Sequence, residues 1–234
     1  MPDAVVEVSG LNGWYGESHV LHGVDLKVGQ GEVVTIVGRN GVGKTTTLRA
    51  IMGILRRREG SVKTFGVETI RLASEKIARL GIGYVPEERG VFASLTVTEN
   101  LLLPPVLAPG GMSLDELYAL FPNLKERGRS QGSKLSGGEQ QMLAIARVLR
   151  TGAKFLILDE PTEGLAPVIV QQIGKVLETI KSKGLTVLLV EQNFRFAAGV
   201  SDRHYVMESG KIIDVIDRSE IAGKMERLEE LLGV

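Results

Sequence analysis

Apolar positions follow two different rhythms along this chain. Val33 to Val37 is a short β-branched run, and Ile82 to Val85, Phe155 to Leu158 and Thr186 to Val190 are similar runs, apolar at nearly every position. Runs of that kind suit strands covered on both faces, as in a parallel sheet. After the first of them, Leu48, Ile51, Met52 and Leu55 recur at helical spacing, so strand, glycine-rich turn and helix follow one another and the predicted core is α/β. Ala4 to Val8 and Val24 to Val28, separated by glycine-bearing turns, predict antiparallel strands beside that core. Between Val91 and Arg150 the strand signal stops. There Ser113 and Glu116 have capping-box spacing and open a helix through Phe121, and Gly138 to Arg150 reads as a second helix. Residues 91–150 are therefore predicted as a helical subdomain set between the two parts of the core, 1–90 and 151–234, within a single domain. After Ser219, the residues Met225, Leu228, Leu231 and Leu232 share one helical face and predict a last helix packed on the body.

Composition narrows the chemistry. The chain has 234 residues, 43% of them hydrophobic, and no cysteine, which removes disulfides, thiolate nucleophiles and cysteine-bound zinc together. Its three histidines, His19, His22 and His204, lie in no metal-ligand pattern and read as ordinary surface or core residues. Lysine plus arginine equals aspartate plus glutamate at 28 each, so the basic excess of a nucleic-acid binder is missing. No apolar run approaches the ~18 residues that span a bilayer, and no basic stretch followed by an apolar one opens the chain, so a soluble, cytosolic protein is expected. Glycine is over-used: 29 residues of 234, against ~7% on average, with no repeat to absorb the excess. These glycines are expected to mark backbone geometry.

Three segments carry candidate chemistry. Residues 38–45, GRNGVGKT, match G-x-x-x-x-G-K-[ST] between a predicted strand and a predicted helix. Gly38, Gly41 and Gly43 let successive amides face phosphate oxygens, the helix end adds positive charge, Lys44 reaches the terminal phosphates and Thr45 is placed to ligate magnesium. Residues 155–160, FLILDE, end a buried strand in two acids where the carboxyl ends of parallel strands form a crevice. Asp159 is placed to hold magnesium and Glu160 to act as base for an attacking water. Alone, the hexapeptide would read as a solvated acidic turn; beside a phosphate loop it does not. Residues 135–141, LSGGEQQ, put Gly137 and Gly138 at a helix start just after Ser136, a second anion cradle that one nucleotide does not need. It makes sense if it closes over nucleotide held by another chain.

With GRNGVGKT, LSGGEQQ and FLILDE in that order and spacing, the chain resembles the ATP-binding cassette family over essentially its whole length. The resemblance implies a P-loop NTPase core of the RecA-like type with a parallel sheet, an N-terminal antiparallel β subdomain and an inserted helical subdomain carrying the LSGGEQQ signature. It implies ATP and Mg2+, with the phosphates held by Gly38, Arg39, Asn40, Gly41, Val42, Gly43, Lys44, Thr45 and Thr46. Tyr15 would stack on the adenine, with Trp14 on the opposite face of the strand. Ser136, Gly137 and Gly138 would complete the site of a partner cassette.

The finer pattern resembles one branch. Where most cassettes have glutamine, aspartate and histidine, this chain has Glu87 in VPEERGVF, Ala166 in PTEGLAP and Gln192 in VEQN. Together these look like the second ATP-binding subunit of branched-chain (hydrophobic) amino-acid importers, the LivF type. That likeness implies an ATPase peripheral to the cytoplasmic face of the inner membrane. It would pair with a second ATPase subunit as a heterodimer and dock through Glu87 to Phe92 on two transmembrane permeases served by an external solute-binding protein, with no nucleic acid involved. Glu87 could ligate magnesium but cannot donate to phosphate, and Gln192 donates a hydrogen bond without histidine's charge. Importers of urea or short-chain amides share much of this pattern and stay open as alternatives. A cassette ATPase of DNA repair or translation would bring coiled-coil insertions or tandem cassettes, which this chain lacks, and a small-molecule P-loop kinase would leave LSGGEQQ unexplained.

Overall fold

A glycine-bearing turn at Gly16 and Glu17 folds Ala4–Tyr15 (β1) back on Ser18–Gly29 (β2) as an antiparallel pair in which Val8 faces Leu26 and Tyr15 faces Ser18. The computed structural model describes residues 4–221, 223 and 224. The chain continues through Val33–Val37 (β3), Lys44–Ile51 (α1), Arg57–Thr64 (β4), Val67–Glu68 (β5), Ser74–Ala78 (α2) and Ile82–Val85 (β6). Four helices follow, Val97–Leu102 (α3), Leu114–Leu120 (α4), Pro122–Glu126 (α5) and Gly137–Leu149 (α6). Phe155–Asp159 (β7), Pro167–Ser182 (α7), Thr186–Glu191 (β8), Phe194–Val200 (α8), Arg203–Glu208 (β9) and Lys211–Asp217 (β10) follow, with short 3-10 turns at Gly132–Lys134 and Arg218–Glu220.

These strands form two sheets. One has the order β2-β1-β4-β5 and is antiparallel; the other has the order β10-β9-β3-β8-β7-β6 and is parallel except for its β10 edge. The four apolar runs are the adjacent parallel strands β3, β8, β7 and β6, and alternate residues of each supply opposite faces. Ile157, Leu188 and Val190 pack with Leu48 and Ile51 of α1 and the inner face of β1 and β2. Leu156, Leu158, Val187 and Leu189 pack with α6 and α7. With both faces covered, every position of such a strand gains from being apolar, which is why the runs do not alternate.

The hydrophobic pattern does not mark β4, β5, β9 or β10. Arg57–Thr64, RREGSVKT, buries only alternate residues near its end and pairs with β1 on one side. Lys211–Asp217 is exposed at every second position on the outer edge of the large sheet. The segment 91–150 holds helices and one isolated bridge between Thr96 and Gln131. The expected capping box forms: Ser113 Oγ accepts the Glu116 amide at 3.2 Å while the Glu116 carboxylate accepts the Ser113 amide at 2.9 Å. The helix expected over Met225, Leu228, Leu231 and Leu232 lies outside the described residues.

His204 on β9 is fully buried, edge-on to Phe194 of α8 at 5.6 Å between ring centroids, and neither ring nitrogen has a hydrogen-bond partner among the described residues. Burial first, then the charge of Arg218, lowers its pKa from 6.5 to about 4, against an opposing pull from Asp202. The unfolded chain therefore binds the proton more tightly. The stability this neutral imidazole contributes is complete above pH 6.5 and is lost as pH falls towards 4. The loss amounts to ~3 kcal/mol at the acid end. Thermal melts should show the midpoint dropping across that window in the wild type, with a shallower drop in His204→Leu.

Candidate nucleotide site

The loop between β3 and α1 is the GRNGVGKT segment. Gly43 is the N-cap of α1 with φ +112, a left-handed conformation that side chains resist, and its carbonyl accepts both the amide of Thr47, at 2.9 Å, and its hydroxyl, at 3.0 Å. Arg39, Asn40 and Gly41 are exposed on the outer turn, Val42 and Thr45 are half-buried, and Gly38, Lys44 and Thr46 are buried. Lys44 folds back into its own loop. Its Nζ donates to the carbonyls of Gly38 at 2.8 Å and Arg39 at 3.0 Å and lies 3.1 Å from Glu160 Oε1, with the side chain 3% exposed. A buried ammonium held by weak carbonyl acceptors and one carboxylate is a cation ready to exchange partners for a polyphosphate.

Two strand ends supply the acids. Asp159, the last residue of β7 and 1% exposed, accepts the Thr45 hydroxyl on Oδ1 at 2.8 Å and the Tyr84 hydroxyl on Oδ2 at 3.1 Å. Burial pushes its carboxyl up, the charges of Glu160 and Glu87 add to that, and the two hydroxyl donors oppose it. Burial and the same acid also push the Tyr84 phenol well above its usual range. Glu160 follows with φ +46, a strained backbone for a non-glycine residue, its amide donating to Val190 O at 3.0 Å. Glu163 is raised by burial, then by Glu160 and Glu87. Glu87 is exposed in the turn after β6, so its carboxylate joins this group through its field.

Among the described residues no group of three or more histidines, aspartates or glutamates is disposed to cage a metal. A desolvated carboxylate hydrogen-bonded to a threonine hydroxyl does fit a cation whose other ligands are phosphate and water, the usual arrangement for magnesium.

Gln192 is half-buried just past β8 and lines a cavity of about 580 Å3 with Glu160, Glu163, Asn193 and Arg195. Thr45, Lys44, Asp159 and Glu160 are thus joined by direct bonds, and Gln192 shares a cavity with Glu160. The signature stands apart. Ser136 caps α6, its Oγ accepting the Glu139 amide at 3.3 Å while Glu139 accepts the Ser136 amide at 2.7 Å. Gly137 faces the Arg89 guanidinium, and Gly138 sits so close to α7 that a Cβ there would lie 2.9 Å from Ile169 Cγ1. No hydrogen bond or ion pair among the described residues links these three to the phosphate loop. Tyr15 is 45% exposed at the end of β1. Trp14 is occupied elsewhere, stacked on His19 at 4.4 Å with Arg57 over its ring at 4.8 Å.

Sequence reasoning passed over Tyr84 and Glu191. Each had a signal, a single hydroxyl or carboxyl in an otherwise apolar run, IGYV or TVLLVE. Glu191 is 2% exposed.

Comparison with known proteins gives the family. The family described as ABC transporter matches residues 21–163. The chain is 44% identical over 203 residues to the high-affinity branched-chain amino acid transport ATP-binding protein BraG of Pseudomonas aeruginosa, covering 86% of this chain and 87% of that one. It is 38% identical over 209 residues to a probable branched-chain amino acid transport ATP-binding protein LivF of Archaeoglobus fulgidus, covering 86% and 87%. To the lipopolysaccharide export system ATP-binding protein LptB of Haemophilus influenzae it is 37% identical over 205 residues, covering 85% of each. A nucleotide-free ATP-binding cassette from an ABC transporter superposes with TM-score 0.84 at 25% identity over 99% of both chains. The dimeric structure of a bacterial ABC transporter cassette superposes with TM-score 0.80 at 26% identity, covering 91% of this chain and 98% of that one. With the family matched over residues 21–163 and relatives of 37–44% identity covered over most of their length, the chain belongs to the ABC transporter family as an ATP-hydrolysing cassette.

Proposed function

We propose that this chain is the ATP-binding subunit of an importer of branched-chain, hydrophobic amino acids. The observation that carries the reading is its 44% identity to BraG across 86% of the chain; LptB is less similar. The protein would work at the cytoplasmic face of the inner membrane. It would be paired with a second cassette and docked on two permeases that receive solute from an external binding protein. In keeping with that peripheral position, no described helix is long and apolar enough to cross a membrane. The helical segment 91–150 would be the part that presents the signature to the partner.

In this reading Lys44 leaves Glu160 for the terminal phosphates of ATP, and the amides of residues 38–46 hold the remaining oxygens. Tyr15, with an open face, stacks on adenine. Thr45 and Asp159 would hold Mg2+, with Glu87 of the exposed turn as a further candidate ligand, and the ion would neutralise charge on the phosphates. Glu160 takes the proton of the attacking water. Gln192, across the same cavity, donates a hydrogen bond to the terminal phosphate. Ser136, Gly137 and Gly138 do the same service for nucleotide on the partner.

Uptake of labelled leucine, measured against labelled urea, tests the solute. Replacing the wild-type chain by Lys44→Ala should abolish the first and leave the second unchanged; the reverse result would favour the urea and amide branch. A second measurement tests the pairing. A partner of ordinary pattern would bring a histidine to the site completed by Ser136, and that site should hydrolyse faster than the one holding Gln192. Ser136→Arg should then depress ATPase of the assembled transporter more than Gln192→Ala does; the opposite order would show that Gln192 has the full switch role.

A further inference from the structure

Glu191 has no part in the mechanism above, yet it is an acid buried at the end of the central strand of the site. It faces Val37 of β3 in register. Its Oε1 accepts the Thr162 amide at 3.2 Å and the Thr162 hydroxyl at 2.7 Å, and its Oε2 accepts the Asn193 amide at 3.3 Å. One carboxylate therefore holds two loops at once, the loop after β7 that carries Glu160 and Glu163 and the turn after β8 that carries Gln192. All three partners are donors. An ionised carboxylate is acceptor-only and satisfies them together, whereas a protonated carboxyl must aim its own hydrogen at one of them.

Such a group is costly to bury, and a well-packed apolar residue would serve the fold at less expense. Glu160 is the residue most in need of support. Its left-handed backbone at φ +46 hangs from the same strand end by the bond of its amide to Val190 O, and strained residues persist where their surroundings over-determine them. We infer that Glu191 is a positioning residue: by bridging Thr162 to Asn193, its carboxylate holds Glu160 and Gln192 in the relation across their shared cavity that hydrolysis requires. The inference rests on the assignment of Glu160 as base and Gln192 as phosphate donor in the preceding subsection.

A pH dependence follows from the groups around it. Around Glu191 are uncharged Val37 of β3, Glu160, itself paired with Lys44, and Glu163 after β7, and Arg195 of α8. Burial raises the Glu191 carboxyl to about 7 and the charge of Glu160 adds to the rise, against the donors Thr162 and Asn193. As pH falls through that value the carboxylate takes a proton, one of the three bonds reverses, and turnover declines while nucleotide still binds.

The test is steady-state ATPase of the full-length protein between about pH 6 and 9, with kcat and KM separated, for wild type, Glu191→Gln and Thr162→Val. Wild type should show an acid limb in kcat near 7. Glu191→Gln should lose about 10-fold or more in kcat at the alkaline end, keep KM within about twofold, and lose the limb near neutrality. Wild-type kcat with the limb intact in Glu191→Gln overturns the inference, as does a loss confined to KM. Should Glu191→Gln fail to fold, Thr162→Val decides, since it removes only the hydroxyl donor: a lower kcat at unchanged KM supports the clamp and a wild-type kcat overturns it. Glu160→Gln in the same assay separates the two layers. Full activity there removes the base assignment, whereas full activity in Glu191→Gln alone removes the clamp and leaves that assignment standing.

Discussion

Glu160→Gln should bind ATP as tightly as the wild type and hydrolyse it ~100-fold more slowly or worse, the scale expected for removal of a general base. The amide is nearly isosteric with the carboxylate and can still accept a hydrogen bond from Lys44, so the pair at 3.1 Å is weakened without a cavity being opened. What it cannot do is accept the proton of water. The backbone at φ +46 is unaffected by a change beyond Cγ, and the amide of residue 160 keeps its bond to Val190 O. The loss should therefore fall on kcat, with nucleotide affinity in a direct titration unchanged. Wild-type turnover in this variant, with the partner subunits present, would exclude Glu160 as the base.

The second large effect is on binding. Lys44→Ala should abolish tight Mg-ATP binding and leave the fold intact. In the structure its ammonium makes two hydrogen bonds to carbonyls at 2.8 and 3.0 Å and one ion pair, none of which ties α1 to the sheet. Its removal costs the phosphates a buried cation. At ~1.5–3 kcal/mol for each hydrogen bond to a charged group, affinity should drop by about 10- to 100-fold or more. It also leaves Glu160 without its counter-ion beside incoming phosphate, which adds repulsion to lost attraction. Equilibrium titration of the folded variant, with folding checked by thermal melt, is the measurement; unchanged affinity would sink the phosphate-loop assignment.

Local chemistry was legible in the chain by itself. GRNGVGKT encodes its own turn, because glycine spacing and the following helix start act over a few residues, and Gly43 does adopt the left-handed cap that only such a residue accommodates easily. The buried parallel strands were legible because a strand covered on both faces must be apolar throughout, and the capping box at Ser113 because both of its bonds lie within one turn. Strands β4 and β10 were not, since only Val62 and Thr64 of the one and Ile216 of the other are buried, and a strand with so little covered surface needs no apolar run. Nor were the bonds that shape the site. Thr45 meets Asp159 across 114 residues, Tyr84 meets Asp159 across 75, and Glu191 meets Thr162 across 29. Whether the glutamate ending TVLLVE is a solvated strand end or a buried clamp between two loops depends on which strands flank β8. That order is settled by the packing of helices on both faces of the sheet, and no stretch of sequence around Glu191 contains it.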